Sequence, residues 1–441
     1  MTRRWLPIAT LAALIGCGSC GGGEARPKDA AVGHDGGLDA ATDAGRDGPP
    51  GARPHPLYPQ LDLETLPGNG GANEFPYQAP ALPQTTRTIT IATTGADAGR
   101  DLLAACQVPG SAVTVPDAAG HLGTVFLGNV VDCDITFGPA VVVNILYLGH
   151  LNSPPSTAPV HRVRIRGGQH GQLLVDPGST DIALDAVVIN TAVVAPLGRA
   201  NTAIFLIGDR TGVGPVVDRF AVVNSIIRVA PSDQIGGNTD GAAYLGQGAR
   251  NVFFAGDNIV TGGNRNSWAF LVGGGRNALF VDLVVRVSID KLIRLEDAAV
   301  DYVYVKGGTW MRQATPTLGG AVTSDSFVQR DDRGTDHVFI HDAAVWLLPA
   351  GEVTFGASRG AGQVGKRWEV RRLAWHARAA TVISDGLLGG FQGACVAGAT
   401  CDYGLGTHSY DYAPGLTLPA DPWRDLPAFA DDDPDHQPIA P

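Results

Sequence analysis

The sequence predicts an all-β chain wound as a parallel β-helix, and three observations carry that expectation. Short apolar segments recur from residue 163 onward, their starts roughly 20–40 residues apart, within the range of repeat architectures. No long helical periodicity separates them, which argues against alternating strand–helix units. Each segment offers one apolar face yet is too small to bury it alone, so stacking the segments as coils makes one continuous core. A β-sandwich, the competing all-β arrangement, would show more regular spacing and hairpin turns.

Taken in order, the chain begins with Arg3 and Arg4, then a short apolar run from Trp5 to Ile15. That run is too short to span a bilayer and reads as a signal peptide over residues 1–16. It ends in Leu14-Ile15-Gly16-Cys17, which resembles the bacterial lipobox. The resemblance implies that Cys17 is lipidated, becomes the mature N-terminus and supplies the only membrane contact. Gly18 is not the aspartate that resembles an inner-membrane retention mark, so the expected location is the cell envelope, at the outer membrane rather than the inner.

Residues 17–84 are expected to form a disordered tether rich in Gly, Ala, Asp and Pro. Such a composition cannot bury enough surface to offset its conformational entropy. The β-helix is expected over 85–385, opening with a short amphipathic helix at 98–106. Eight apolar segments then follow: VRIRGG (163–168), IALDAVVIN (182–190), FAVVNSIIRV (220–229), VFFAGDNIV (252–260), LFVDLVVRV (279–287), YVYVKGGTWM (302–311), VFIHDAAVW (338–346) and WEVRRLAWH (368–376). Residues 386–441 read as a closing segment and an acidic, proline-containing tail.

The 441 residues are 44% hydrophobic, enough for a large core, and 59 glycines against 2 methionines suit many turns. Only 17% are charged and the formal net charge is −11, a poor match for nucleic acid. With Cys17 assigned to lipid and Cys20 beside it, Cys106, Cys133, Cys395 and Cys401 remain. An even number in an oxidising compartment suggests two disulfides, and nearest-neighbour pairing is the simplest arrangement.

The helix at 98–106, then PGSAVTVP at 109–116 and HRVRIRGG at 161–168, resemble the opening of the right-handed parallel β-helix proteins of the pectate-lyase-like superfamily. In that family a short helix caps the open end of the coil stack, where unpaired edges would otherwise be exposed. The sharpest local match is Gly237-Asn238-Thr239-Asp240-Gly241, which resembles the N-T-D-G motif of polygalacturonase-type glycoside hydrolases on the same fold. Where that family reads T-G-D-D, this chain has Thr261-Gly262-Gly263-Asn264. An inverting hydrolase needs two carboxyl groups roughly 6.5–9.5 Å apart, and Asp240 alone cannot supply both.

The resemblance therefore implies polysaccharide as partner, bound rather than demonstrably cleaved. If there is catalysis, Asp240, Arg265 and Arg294 are the candidates, as a lyase or hydrolase on uronate-containing glycans. Asn238, Asn264, Trp268 and Lys291 are candidate substrate contacts. Asp257 and Asp282 are expected to stack on successive coils about 5 Å apart, a spacing that suits calcium, the one cofactor the pattern admits though none is required. His337 and His341 imitate a zinc pair but would lie roughly 13 Å apart on a strand. Residues 360–367 imitate a phosphate loop without its Ser/Thr or its helix, so no nucleotide is expected. Recurring aromatics, from Trp268 through Trp375, serve as core more often than as sugar platforms.

Overall fold

The computed structural model describes residues 53–67, 77–151, 158–193, 202–206, 215–229, 241–246, 248–261, 268–287, 291–296, 301–313, 326–330 and 337–348, with shorter strands beyond. It is a right-handed parallel β-helix, and the strand register shows how it is built. Each full coil contributes three strands, one to each of three parallel sheets. Sheet 1 holds Thr180–Asp185, Asp218–Val223, Arg250–Ala255, Arg276–Val281, Asp301–Lys306 and His337–His341, each paired with the next in parallel. Sheet 2 holds Val188–Asn190, Ile226–Val229, Asn258–Thr261, Val284–Val287, Thr309–Gln313 and Ala344–Leu348. Sheet 3 holds Ile204–Leu206, Gly241–Leu245, Trp268–Gly273, Lys291–Glu296, Ser326–Arg330 and Val353–Phe355. In the earlier coils the long strands Val131–Leu148 and His161–Val175 run through more than one sheet.

The eight apolar segments of the sequence are thus each a sheet 1 strand and, from 182 onward, the sheet 2 strand after it; the sheet 3 strand was missed. Alternation sets the core. In sheet 1 the column Val163, Ile182, Phe220, Val252, Ala278, Val303, Val338 points inward, as does Ile165, Leu184, Val222, Phe254, Phe280, Val305, Ile340 two residues on. Phe254, Phe270, Phe280 and Trp310 fill the middle of the stack, with Phe270 and Phe280 centroids 4.3 Å apart. Each aromatic ring there removes on the order of 150–250 Å² from water, which makes this layer a large share of the driving force.

A helix, α1 (Gly95–Cys106), closes the N-terminal end by burying Ala98, Leu102, Ala105 and Cys106. Cys106 is bonded to Cys133, the first inward residue of its sheet 1 strand, so the cap is stapled to the coil beneath it. Cys395 ends the strand Ala394–Cys395; Cys401 lies outside the described residues.

One region departs from expectation. Residues 53–67 and 77–84 belong to the stretch assigned to the tether, yet they are ordered against the body. Pro54–His55 and Tyr58–Asp62 pair as an antiparallel hairpin, and Asp62 then caps a single 3-10 turn, Leu63–Thr65. Tyr58, Leu61, Leu63, Leu66 and Tyr77 cover the outer face of sheet 1, where Phe253, Leu279, Val281, Tyr304 and Phe339 would otherwise meet water. The missed signal is PLYPQLDLETLP itself, in which apolar side chains interrupt the polar composition. The expected signal peptide, Cys17 and the Asp-rich stretch to residue 52 all lie outside the described residues.

Candidate functional site

The outer face of sheet 3 carries the residues nearest to those singled out from the sequence. Across successive coils one outward position is occupied by Phe126, Tyr147, Leu174, Phe205, Tyr244, Leu271 and Arg294. The register places these side chains about 4.8 Å apart along the coil axis. Phe126 and Tyr147 stack at 4.9 Å with rings 9° from parallel, and Phe205 and Tyr244 lie 6.0 Å apart. Phe126 through Tyr244 are half-buried, whereas Leu271 and Arg294 are enclosed, Arg294 to 9% exposure. The result is a ladder of apolar side chains, half-buried from Phe126 to Tyr244 and enclosed at Leu271 and Arg294.

The signal for these residues was present but weak. Each is the middle of an apolar-x-apolar triplet, as in Ile204-Phe205-Leu206 and Ala243-Tyr244-Leu245, where the flanking residues face the core. The aromatics singled out instead are core: Trp268, Tyr302, Tyr304 and Trp310 are all buried. Trp268 is 1% exposed, so it offers no face to a sugar. Its ring lies over Gly241 of the preceding coil, where an added Cβ would sit 2.0 Å from Cζ3. The last glycine of N-T-D-G is therefore explained by packing. Trp268 Nε1 has no hydrogen-bond partner among the described residues.

Lys291 pairs in register with Trp268, one coil on, and Arg294 sits three residues further along the same strand. Asn238, Asp240, Asn264 and Arg265 lie outside the described residues, in the segments that enter the strands Gly241–Leu245 and Trp268–Gly273.

The expected stacking of Asp257 and Asp282 does not occur. Ala255 pairs with Val281 and Asn258 with Val284, so Asp282 falls beside Gly256, one step away from Asp257. A single register step reverses the side of the sheet. Asp257 points in and is fully enclosed; its Oδ1 accepts from the Ser225 N–H at 2.8 Å and Oδ2 has no partner among the described residues. Burial pushes its pKa well up, against the pull of backbone donors, so the neutral acid is favoured. Asp282 points out and accepts from the Tyr58 hydroxyl at 3.1 Å. Among the described residues no group of three His, Cys, Asp or Glu side chains is placed to hold a metal. His337 and His341 lie at opposite ends of one strand, as their spacing required.

Two further features went unforeseen. His150 Nε2 lies 2.5 Å from Asp176 Oδ2, both enclosed, with the His150 ring edge-on to Tyr147 at 5.7 Å. Burial raises the Asp176 pKa against the pull of His150, and the pair ties consecutive coils together beside the aromatic strip. A cleft of about 490 Å³ opens where Arg53, Pro54 and Pro80 face Arg162, Asp181 and Arg219. Two of its three arginines are committed to carboxylates, Arg162 to Asp132 and Arg219 to Asp181 and Asp218, while Arg53 lies 3.9 Å from Glu64. No helix of the described residues is long and apolar enough to cross a membrane.

No family model matches the chain, and no curated protein matches it. Among solved structures it is similar to the Streptococcus pneumoniae surface protein and adhesin PfbA, at 10% identity and a TM-score of 0.23, over 67% of this chain and 96% of that one. The β-helix rests on the strand register above and not on this likeness.

Proposed function

We propose that this protein is a lipid-anchored envelope protein that binds polysaccharide along the outer face of sheet 3. The observation that carries the reading is the strip Phe126, Tyr147, Leu174, Phe205, Tyr244, one side chain per coil at a constant register. Apolar side chains repeated about every 4.8 Å, four of the five aromatic, suit a linear polymer of rings better than a single small ligand. Half-buried rings are held in place by their neighbours, so little rotamer freedom is lost on binding. The lipid on Cys17 and the Asp-rich stretch after it would hold the body off the membrane, within reach of external polymers.

The test is retention of the purified protein on a panel of neutral and uronate polysaccharides, with and without calcium. Retention by at least one glycan, weakened when Phe205 or Tyr244 is replaced by Ala, supports the reading; no retention across the panel rejects it. New reducing ends or unsaturated-uronate absorbance would instead establish a hydrolase or lyase, and would bring Asp240, Arg265 and Arg294 forward as catalytic residues. Incorporation of a labelled fatty acid that vanishes in Cys17→Ser tests the anchor separately.

A further inference from the structure

Seven successive strands of sheet 1, ending with Asp301–Lys306, have as their second residue one in the left-handed conformation: Asp132, Arg162, Asp181, Arg219, Asn251, Asn277 and Tyr302, with φ between 50° and 70°. The register stacks them into one ladder along a corner of the β-helix. Within it, acceptors and donors alternate. Arg162 donates from Nε and Nη2 to Asp132 at 2.6 and 2.8 Å. Arg219 donates likewise to Asp181 at 2.6 and 2.9 Å, and Asn277 Nδ2 to Asn251 Oδ1 at 2.7 Å. Each acceptor is thus oriented by the side chain one coil above it, and an oriented acceptor recurs every second coil.

The segment 77–84 runs along this ladder, and its backbone N–H groups go to the acceptors; Arg219 Nη1 also donates to the Gln78 side-chain oxygen at 3.4 Å. The N–H groups of Gln78, Ala81 and Gln84 donate to Asn251, Asp181 and Asp132 at 3.2, 2.9 and 3.2 Å. Two coils span about 9.6 Å. Three residues of a polyproline-type strand span about 9.3 Å, and its three-residue turn brings every third residue to the same side. The two periods match within a few tenths of an ångström. Pro80 and Pro83 occupy a phase that never has to donate, and the Ala79 and Leu82 N–H groups have no acceptor among the described residues.

From this we infer that the corner ladder is an acceptor column for an extended, proline-containing strand read once every three residues, with residues 77–84 as its built-in occupant. The partner class is defined by that chemistry: a peptide able to adopt the polyproline conformation, with free N–H groups three residues apart and proline between them. Tyr77 fixes which register the occupant takes, being buried beside Phe253 and hydrogen-bonded to His55. Loss of the occupant would remove Tyr77 and Ala79 from the cover over the outer face of sheet 1.

Residue-resolved hydrogen exchange on the full chain tests the phase directly. The amides of Gln78, Ala81 and Gln84 are expected to exchange about ten-fold or more slowly than those of Ala79 and Leu82. Uniform protection across 77–84 would overturn the proposal. Proline substitution gives a second, independent readout. Ala81→Pro removes a reading donor and should raise exchange at Gln78 and Gln84 by about ten-fold or more, whereas Ala79→Pro, out of phase, should leave it unchanged or lower it. Equal effects of the two variants would reject period-three reading. Should Ala81→Pro not fold, Gln84→Pro at the exposed end of the segment serves in its place. Finally, a labelled synthetic peptide of residues 77–86 added to the Ala81→Pro protein should bind, and the same peptide with Pro at the Ala81 position should not. Equal binding by both peptides, or by neither, would also overturn the assignment.

Discussion

Sheets 1 and 3 share one repeat and one inward face, yet their outward faces have opposite fates. In sheet 1 the outward column Ala221, Phe253, Leu279, Tyr304, Phe339 is covered by the hairpin and the segment that follows it, and becomes a second core. In sheet 3 the outward column Tyr147, Leu174, Phe205, Tyr244 is left half-open. Apolar residues at outward positions are therefore not one signal but two. Which they are depends on whether the chain returns to cover them. Isolated surface hydrophobics need no explanation, but a contiguous strip of them does.

The largest contrast should come from the same truncation on the two faces. Phe253 is fully enclosed between Tyr58, Tyr77 and His55, the last stacked on it at 4.0 Å. Phe253→Ala should cost about 3–5 kcal/mol in a denaturant titration, because transfer and cavity terms add. A loss under about 1 kcal/mol would mean that the cover is not packed as described.

Acidification should loosen the cover next. His55 Nδ1 accepts from the Leu57 N–H at 3.2 Å, and burial lowers the ring's pKa to about 4. The undocked segment binds the proton more readily than the docked one, so docking weakens as the pH falls from about 6.5 toward 4 and no further below it, by roughly 3 kcal/mol in all. Asp132 and Asp181 act in a lower window. The Arg162 hydrogen bond holds Asp132 below the usual carboxylate range; for Asp181, burial pushes up but Arg219 and the Ala81 N–H outweigh it. Their contribution is present above about pH 4 and is lost on further acidification. Exchange in residues 53–67 against pH measures this, and His55→Gln should remove the upper window. His170, buried in the body with its pKa also lowered to about 4, affects global melting, which is why local exchange is the better readout.

A smaller effect is expected at the hydrogen bond between Tyr58 and Asp282. Burial and the Asp282 carboxylate push the Tyr58 pKa up to about 12, so the hydroxyl stays a donor throughout the working range. Tyr58→Phe should cost about 1 kcal/mol, since Asp282 is exposed and water can take the donor's place. A cost near that of Phe253→Ala would show that the hairpin is held by this bond more than by apolar packing.

Much of sheet 1 and sheet 2 was legible because inward and outward residues alternate within each strand and the corner between them is short, giving runs such as FAVVNSIIRV. Sheet 3 was not, because Ile204–Leu206 offers only three residues and follows a loop of variable length. The cap helix and the Cys106–Cys133 bond followed from local pattern and simple pairing. The cover did not: its apolar residues are scattered among prolines, and only the fold reveals what they pack on. The site was harder still. Asp257 and Asp282 look equivalent in sequence, but the corners turn at the same register position, at Gly256 and Asp282, so Asp257 falls one residue past the turn and points inward while Asp282 points outward.

Phe205→Ala is the counterpart that closes the comparison. Phe205 holds the same kind of outward position as Phe253, but it is half-buried and its nearest aromatic neighbour is Tyr244 at 6.0 Å. Truncation leaves no enclosed cavity, so the cost should be about 1 kcal/mol or less, most of it lost contact with flanking side chains. On the proposed function the same change should still matter for binding, because each ring in a contiguous strip contributes to holding the polymer; loss of one should shorten retention on the responsive glycan by about ten-fold. Phe253→Ala, on the covered face, should leave retention unchanged wherever the protein remains folded. If the two variants exchange these properties, sheet 3 is the structural face and sheet 1 the functional one.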